Sequence, residues 1–151
     1  MAIFIGIDPG FSGAWGAVDH NGTYRGCGDF YHDSSIINTD LVHTDITHCV
    51  RASDFEIIIE SVHAMPGQGV SSTFKFGKAF GQVIALAQMM NCPWHFVTPQ
   101  KWKGDLGLTR DKEDSLNLAR QLYPDAPLTR KKDNGRAEAL LIAGWWLEQM
   151  S

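Results

Sequence analysis

Ile57-Ile58-Ile59, delivered straight into Glu60, constrain the fold of this chain more than any other feature. Phe55 through Ile59 is the clearest buried strand, and its three consecutive isoleucines lack apolar-polar alternation, so a strand here must be covered on both faces, as the strands of an α/β sheet are. The N-terminal stretch repeats the pattern. Residues 2–7 form a compact β-rich run that ends at Asp8, and Pro9-Gly10 breaks it. Two acidic residues, 52 positions apart, thus stand at the ends of two buried strands.

Gly13 leads into a second candidate strand through Val18, and Asn21-Gly22 reads as the turn into a third around residues 23–31. These three make an antiparallel meander. Residues 33–50 mix short apolar groups with Asp, Ser, Thr and His and read as a short helix with loops on either side. Met65-Pro66-Gly67-Gln68-Gly69 is a loop, and Ala, Leu, Gln and Met favour a helix from Phe74 or Lys75 to about Met90. Within it, Gly77 and Gly81 permit close packing of another element. Trp94 to Val97 is a short strand stopped by Pro99. Residues 111–122 form a helix with a Leu116, Ala119, Leu122 stripe, and the last helix spans about 134–149, with Ala137, Leu140, Leu141, Gly144 and Leu147 on its buried face. The pattern is α/β, a central mixed sheet flanked by helices, in one domain over residues 1–151.

No apolar run approaches the length that crosses a bilayer, and the chain opens without the pattern of a secretory leader, so cytoplasmic residence and no membrane partner are expected. Cys27, Cys49 and Cys92 lack zinc-site spacing and read as reduced, structural thiols. The formal charge of −4 argues against a nonspecific DNA coat, but it is unevenly spread. Residues 1–60 hold 2 Lys/Arg against 9 Asp/Glu, while residues 61–151 hold 11 against 8. A nucleic-acid surface would draw mainly on the later part of the chain.

A strand fixes the backbone of its terminal acidic residue while the side chain reaches an accessible edge. If the strands of Asp8 and Glu60 are neighbours, both carboxylates approach one divalent cation, and Mg²⁺, which favours oxygen ligands, offsets their repulsion. Asp133 suits the N-cap of the last helix, and Glu138 lies in its first turns, one face-sharing step from Asn134. Each acidic residue also has a plain explanation, as strand end, salt bridge, helix cap or solvated side chain. Held together, such carboxylates bind two metals that activate water and stabilise the leaving oxygen of a phosphodiester.

Gly6-Ile7-Asp8-Pro9-Gly10, Ile59-Glu60-Ser61-Val62 and Ala137-Glu138-Ala139-Leu140, with residues 75–81 and Pro99-Gln100-Lys101-Trp102-Lys103, jointly resemble the RuvC family of Holliday junction resolvases. Pro66-Gly67-Gln68-Gly69-Val70-Ser71-Ser72 and residues 132–139 resemble its bacteriophage branch, which would act inside a host bacterial cell. The resemblance implies an RNase H-like fold, a homodimer, and dependence on Mg²⁺, with Mn²⁺ as a substitute and two ions per site. It implies paired incisions across a four-way DNA junction that leave 3′-hydroxyl and 5′-phosphate ends. It carries the acidic ligands to Asp8, Glu60 and Glu138, and the remaining one to Asp133. Bacterial members place their last two acids three residues apart, where this chain has Gly135, and phage relatives place an acid or histidine at Asn134. Two explanations stay open there: Asp133 serves as ligand, or Asn134 replaces an acidic ligand and weakens catalysis.

The basic candidates for phosphate contact are Lys75, Lys101, Lys103, Lys112, Arg130, Lys131, Lys132 and Arg136, of which the resemblance singles out Lys103 and Lys112. His63 falls where bacterial relatives carry an aromatic wedge. Phe74 is a second stacking candidate, weighed against a core role on its helix. Asp-Pro-Gly before Phe-Ser-Gly also resembles the phosphate loop of sugar-kinase and actin-like ATP-binding folds, which need a larger two-lobed cleft. The nearer alternatives are a junction-binding module without activity and a broad nuclease for branched DNA.

Overall fold

The structure, a computed structural model, describes residues 2–34, 36–51 and 53–151. The expected meander forms from β1 (Ala2–Asp8), β2 (Ala14–Asp19) and β3 (Tyr24–Asp29). Its second turn is built on Gly22, whose φ of 78° suits glycine, and on Asp19, whose Oδ1 accepts the N–H groups of Asn21 and Thr23 at 2.9 and 3.0 Å. Two short strands, β4 (His32–Asp33) and β5 (Ile36–Ile37), form a separate pair.

The Ile57-Ile58-Ile59 run is buried as expected in β6 (Asp54–Glu60), which pairs parallel with β1 and with β7 (Trp94–Val97). The main sheet has the order β3-β2-β1-β6-β7, so it is mixed and β1 lies at its centre. Ile7 pairs with Ile59 across the parallel ladder, which brings the next residues, Asp8 and Glu60, to the same end of adjacent strands.

Strand alternation divides the core in two. Ile3, Ile5, Ile7, Ile57 and Ile59 pack with Val42, Ile46 and Val50 of α1 (Thr39–Val50) and with Ala79, Val83 and Leu86 of α2 (Val70–Met89). Phe4, Val18 and Ile58 face the other way. There they meet Trp102 of α3 (Pro99–Asp105), Leu116 and Ala119 of α4 (Lys112–Leu122), and the buried run around Leu140 in α5 (Asn134–Gln149). Gly6 explains how closely α5 approaches the sheet: a Cβ there would lie 2.0 Å from the Ala139 carbonyl oxygen. Replacing Gly6 with any other residue would push α5 off β1.

Three details differ from the sequence expectation. Helix α2 begins at Val70, ahead of Phe74, and Phe74 is 70 % exposed rather than in the core. Leu122 is 52 % exposed, because the buried stripe of α4 ends at Ala119. Helix α3 was not anticipated. Thr98 caps it by accepting the Lys101 N–H at 3.2 Å, and Pro99 occupies its first turn, where a missing N–H costs nothing. The three cysteines are free thiols, and no helix among the described residues is long and apolar enough to cross a membrane.

Candidate active site

Asp8 and Glu60 end neighbouring strands, and α5, seated against Gly6, carries Glu138 to the same end of the sheet. Glu60 and Glu138 are buried and Asp8 is half-buried. Burial pushes the Asp8 carboxyl well above the usual carboxylate range, and the charges of Glu60 and Glu138 push the same way against Lys112 and Lys103. Burial also raises Glu60; the Trp102 N–H opposes the shift and Glu138 reinforces it. The three carboxylates therefore act on one another through space.

Each glutamate is held through one oxygen. Trp102 donates its indole N–H to Glu60 Oε2 at 2.7 Å. Ser115 Oγ donates to Glu138 Oε2 at 3.0 Å, and Lys103 Nζ lies 3.0 Å from the same atom. These bonds leave Oε1 of both glutamates uncommitted, and Asp8 has no hydrogen-bond donor among the described residues. Three clustered carboxylates offering only oxygen donors fit a hard divalent cation, which would offset their repulsion. Among the described residues no group of three or more His, Cys, Asp or Glu side chains stands as a ready-made metal cage. The donor chemistry fits, and closing the ligands onto an ion requires side-chain movement.

Asp133 has arginine partners instead of a hydrogen bond to this cluster. It occupies the N-cap position of α5 but makes no cap bond there. Its Oδ2 accepts the Arg130 backbone N–H at 2.8 Å, and its Oδ1 takes the Arg130 guanidinium at 3.0 and 2.6 Å. Both Asp133 oxygens are thus engaged by Arg130. Gly135 faces Asp8: a Cβ at that position would sit 3.5 Å from Asp8 Oδ2. Asn134 lines a hollow of about 420 Å³ with Asp111, Lys112, Glu113, Leu116, Lys131 and Lys132.

The cations divide into committed and exposed groups. Arg136 makes a bidentate pair with Asp29 at 2.9 and 3.0 Å, and Arg130 pairs with Asp133, so both tie the start of α5 to its surroundings. Lys101 pairs with Asp105 at 3.4 Å along one helix face. Lys103 is in the carboxylate cluster itself. Lys75 places its ammonium 3.9 Å from the centre of the Phe11 ring, in the loop that follows Asp8. Lys112, Lys131 and Lys132 are exposed around the Asn134 hollow, and Lys112 is near enough to lower the Asp8 carboxyl. His63 is exposed and lines a second, largely apolar hollow with Met65, Phe76 and Pro99.

Sequence reasoning alone does not single out Trp102 and Ser115, which hold the two glutamates. Ser115 had a legible signal: a polar residue one helical turn from Ala119 on a buried face must find a partner. Trp102 had a weaker one, since a lone indole between Lys101 and Lys103 reads as packing and local sequence names no partner for its N–H.

Comparison with known proteins finds solved structures of similar fold. The RuvC of T. thermophilus in complex with Holliday junction substrate aligns over 100 % of this chain and 97 % of its own, with a TM-score of 0.72 and 19 % identity. A second T. thermophilus RuvC structure covers 98 % and 96 %, with a TM-score of 0.69 and 20 % identity. The yeast mitochondrial Holliday junction resolvase Ydc2 covers 95 % of this chain and 77 % of its own, with a TM-score of 0.52 and 17 % identity. The fold is therefore that of RuvC, RNase H-like with a mixed five-stranded sheet. In sequence, the chain is 38 % identical over 93 residues, 59 % of its length, to the chloroplastic Holliday junction resolvase MOC1 of Chlamydomonas reinhardtii. It spans about a tenth of that relative's length. No protein-family model matches the chain.

Proposed function

We propose that this protein is a metal-dependent endonuclease that resolves four-way DNA junctions by phosphodiester hydrolysis, leaving 3′-hydroxyl and 5′-phosphate ends. The observation that carries the reading is the convergence of Asp8, Glu60 and Glu138 at one sheet end, with Lys103 and Lys112 beside them. The sequence match to a Holliday junction resolvase supports the substrate. Asp8 and the free Oε1 atoms of Glu60 and Glu138 would hold Mg²⁺, or Mn²⁺ in its place, in a two-ion site. Bound there, the ions supply an activated water and charge stabilisation at the leaving oxygen. Lys112, Lys131 and Lys132 would take phosphates along the adjoining hollow and set the strand's register.

Paired incisions call for two such sites facing symmetry-related strands, hence a homodimer. Helix α2 supports this with exposed apolar residues on its outer face. Val70 and Phe74 are exposed on it, and, contrary to the close packing expected at Gly77 and Gly81, no described residue outside the helix's own neighbouring backbone lies within 4 Å of a Cβ built there.

The deciding experiment compares this chain with its Asn134→Asp variant on labelled four-way junction, flap and linear duplex, with and without Mg²⁺. We expect both proteins to bind and cut the junction in preference to the duplex, because the three clustered carboxylates do not include position 134. Cutting by the variant alone would make this chain a junction-binding form with weakened catalysis. Equal cutting of flap and junction would make it a general debranching nuclease, and failure of both proteins to bind or cut would reject the reading.

A further inference from the structure

Glu60 belongs to a strand and Glu138 to a helix in a different layer, yet a single turn of α3 touches both. Trp102 gives its indole N–H to Glu60 Oε2 at 2.7 Å, and the next residue, Lys103, sets its ammonium 3.0 Å from Glu138 Oε2. The Trp102 ring is fully buried in one core with Leu116, Ala137 and Leu141, where an indole N–H is stabilised by a partner. Packing does not require that the partner be a carboxylate.

Glu60 has a reason to need such a bond. Glu138 repels it, and burial penalises its charge. An unrestrained glutamate with three rotatable bonds would swing away from its neighbours. A charge-assisted N–H bond from a rigid, buried ring opposes that swing through Oε2 and leaves Oε1 for the cleft. Helix α3 is itself fixed at its entry by the Thr98 cap and Pro99.

We infer that Trp102 is a positioning residue: its indole N–H, acting with the adjacent Lys103, sets the spacing between Glu60 and Glu138 and so preorganises them for a divalent cation. The inference rests on the proposed metal-dependent nuclease. It assigns no contact between Trp102 and DNA or metal.

The test is Trp102→Phe, which keeps most of the ring volume and removes the N–H. Mn²⁺ affinity is measured directly from the electron paramagnetic resonance of free Mn²⁺, alongside thermal unfolding and metal-free junction binding. We expect a folded variant with unchanged junction affinity and a Mn²⁺ Kd raised about 10- to 100-fold, the usual cost of losing a residue that orients a metal ligand. A merely structural role would lower thermal stability and leave Mn²⁺ affinity unchanged, and that result in a folded variant overturns the inference. If the variant does not fold, the wild-type protein decides. Among the indole N–H signals of its 5 tryptophans, that of Trp102, assigned through its contacts, must shift on Mg²⁺ titration, and a static signal overturns the inference. Wild-type protein that binds no Mn²⁺ defeats the nuclease reading itself, whereas equal binding by wild type and Trp102→Phe defeats only the role of Trp102.

Discussion

Asp133 and Glu138 are both almost wholly buried, at 1 % and 5 % exposure, and lie within two turns of each other, yet the molecule uses them in opposite ways. Asp133 has both oxygens engaged by Arg130, with Arg136 at 3.7 Å, and through Arg136 it joins a network that includes Asp29 at the end of β3. Glu138 has its partners on one oxygen and shares its surroundings with two like charges. A buried carboxylate surrounded by arginine donors fastens the start of a helix. One that faces other carboxylates is kept at a cost in stability, and such costs gather where chemistry is done.

The largest effect that separates the two should come from Glu138→Gln. The amide keeps an acceptor oxygen for Ser115 and removes one charge from the repelling cluster. Losing about 3 kcal/mol of charge stabilisation in the reaction lowers its rate about 100-fold. We expect cleavage to fall at least that far while thermal stability holds or rises and junction binding persists. Retained cleavage in a gel assay would take Glu138 out of the site.

Asp133→Asn should do the reverse, costing about 2 kcal/mol of stability by weakening charge-assisted hydrogen bonds at a buried position while the folded protein still cuts. Burial pushes the Asp133 carboxyl up, but the Arg130 hydrogen bonds and the Arg136 charge outweigh it and hold the carboxyl below its ordinary range. A carboxyl depressed in the folded state contributes its full stability above the unfolded value, about 3.9, and loses it as pH falls through the folded value. The deficit of Asp133→Asn in urea unfolding should therefore be widest near neutrality and shrink below about pH 4. A deficit that stays constant with pH would show that shape, not charge, is what Asp133 supplies. Loss of cleavage in the folded variant would return Asp133 to the catalytic set.

The contrast between these two residues was only half legible in the sequence. The strand ends were readable, because an apolar run terminated by an acid fixes both burial and direction, and Asp8 and Glu60 lie where that pattern sends them. Glu138 followed from the start of the last helix. The arginine partners of Asp133 did not: local sequence offers a helix cap and the resemblance a ligand, and only the folded chain shows Arg130 turning back onto it. The same limit hid α3. Pro99 reads as the end of a strand, and its second role, opening a helix behind a Thr98 cap, emerges once Trp102 has a core to enter. Long-range partners also account for Arg136, whose commitment to Asp29 joins residues 107 positions apart.

The smallest effects test the cations on either side of the same boundary. Lys131 and Lys132 are exposed at the Asn134 hollow, whereas Arg130 and Arg136, beside them in sequence, are held by carboxylates. Lys131→Ala and Lys132→Ala should each leave stability within about 0.5 kcal/mol. If each lysine meets one phosphate, each change should reduce the salt slope of junction binding, measured across a range of ionic strengths, by about 1. Arg136→Ala should instead lower stability, since it removes a bidentate pair and leaves Asp133 and Asp29 with one fewer donor. Its salt slope should match that of the unaltered protein. An equal loss of slope in a stably folded Arg136→Ala protein would mean that the guanidinium leaves Asp29 for a phosphate when DNA arrives, and the fastening at the start of α5 would then belong to the binding surface as well as to the fold.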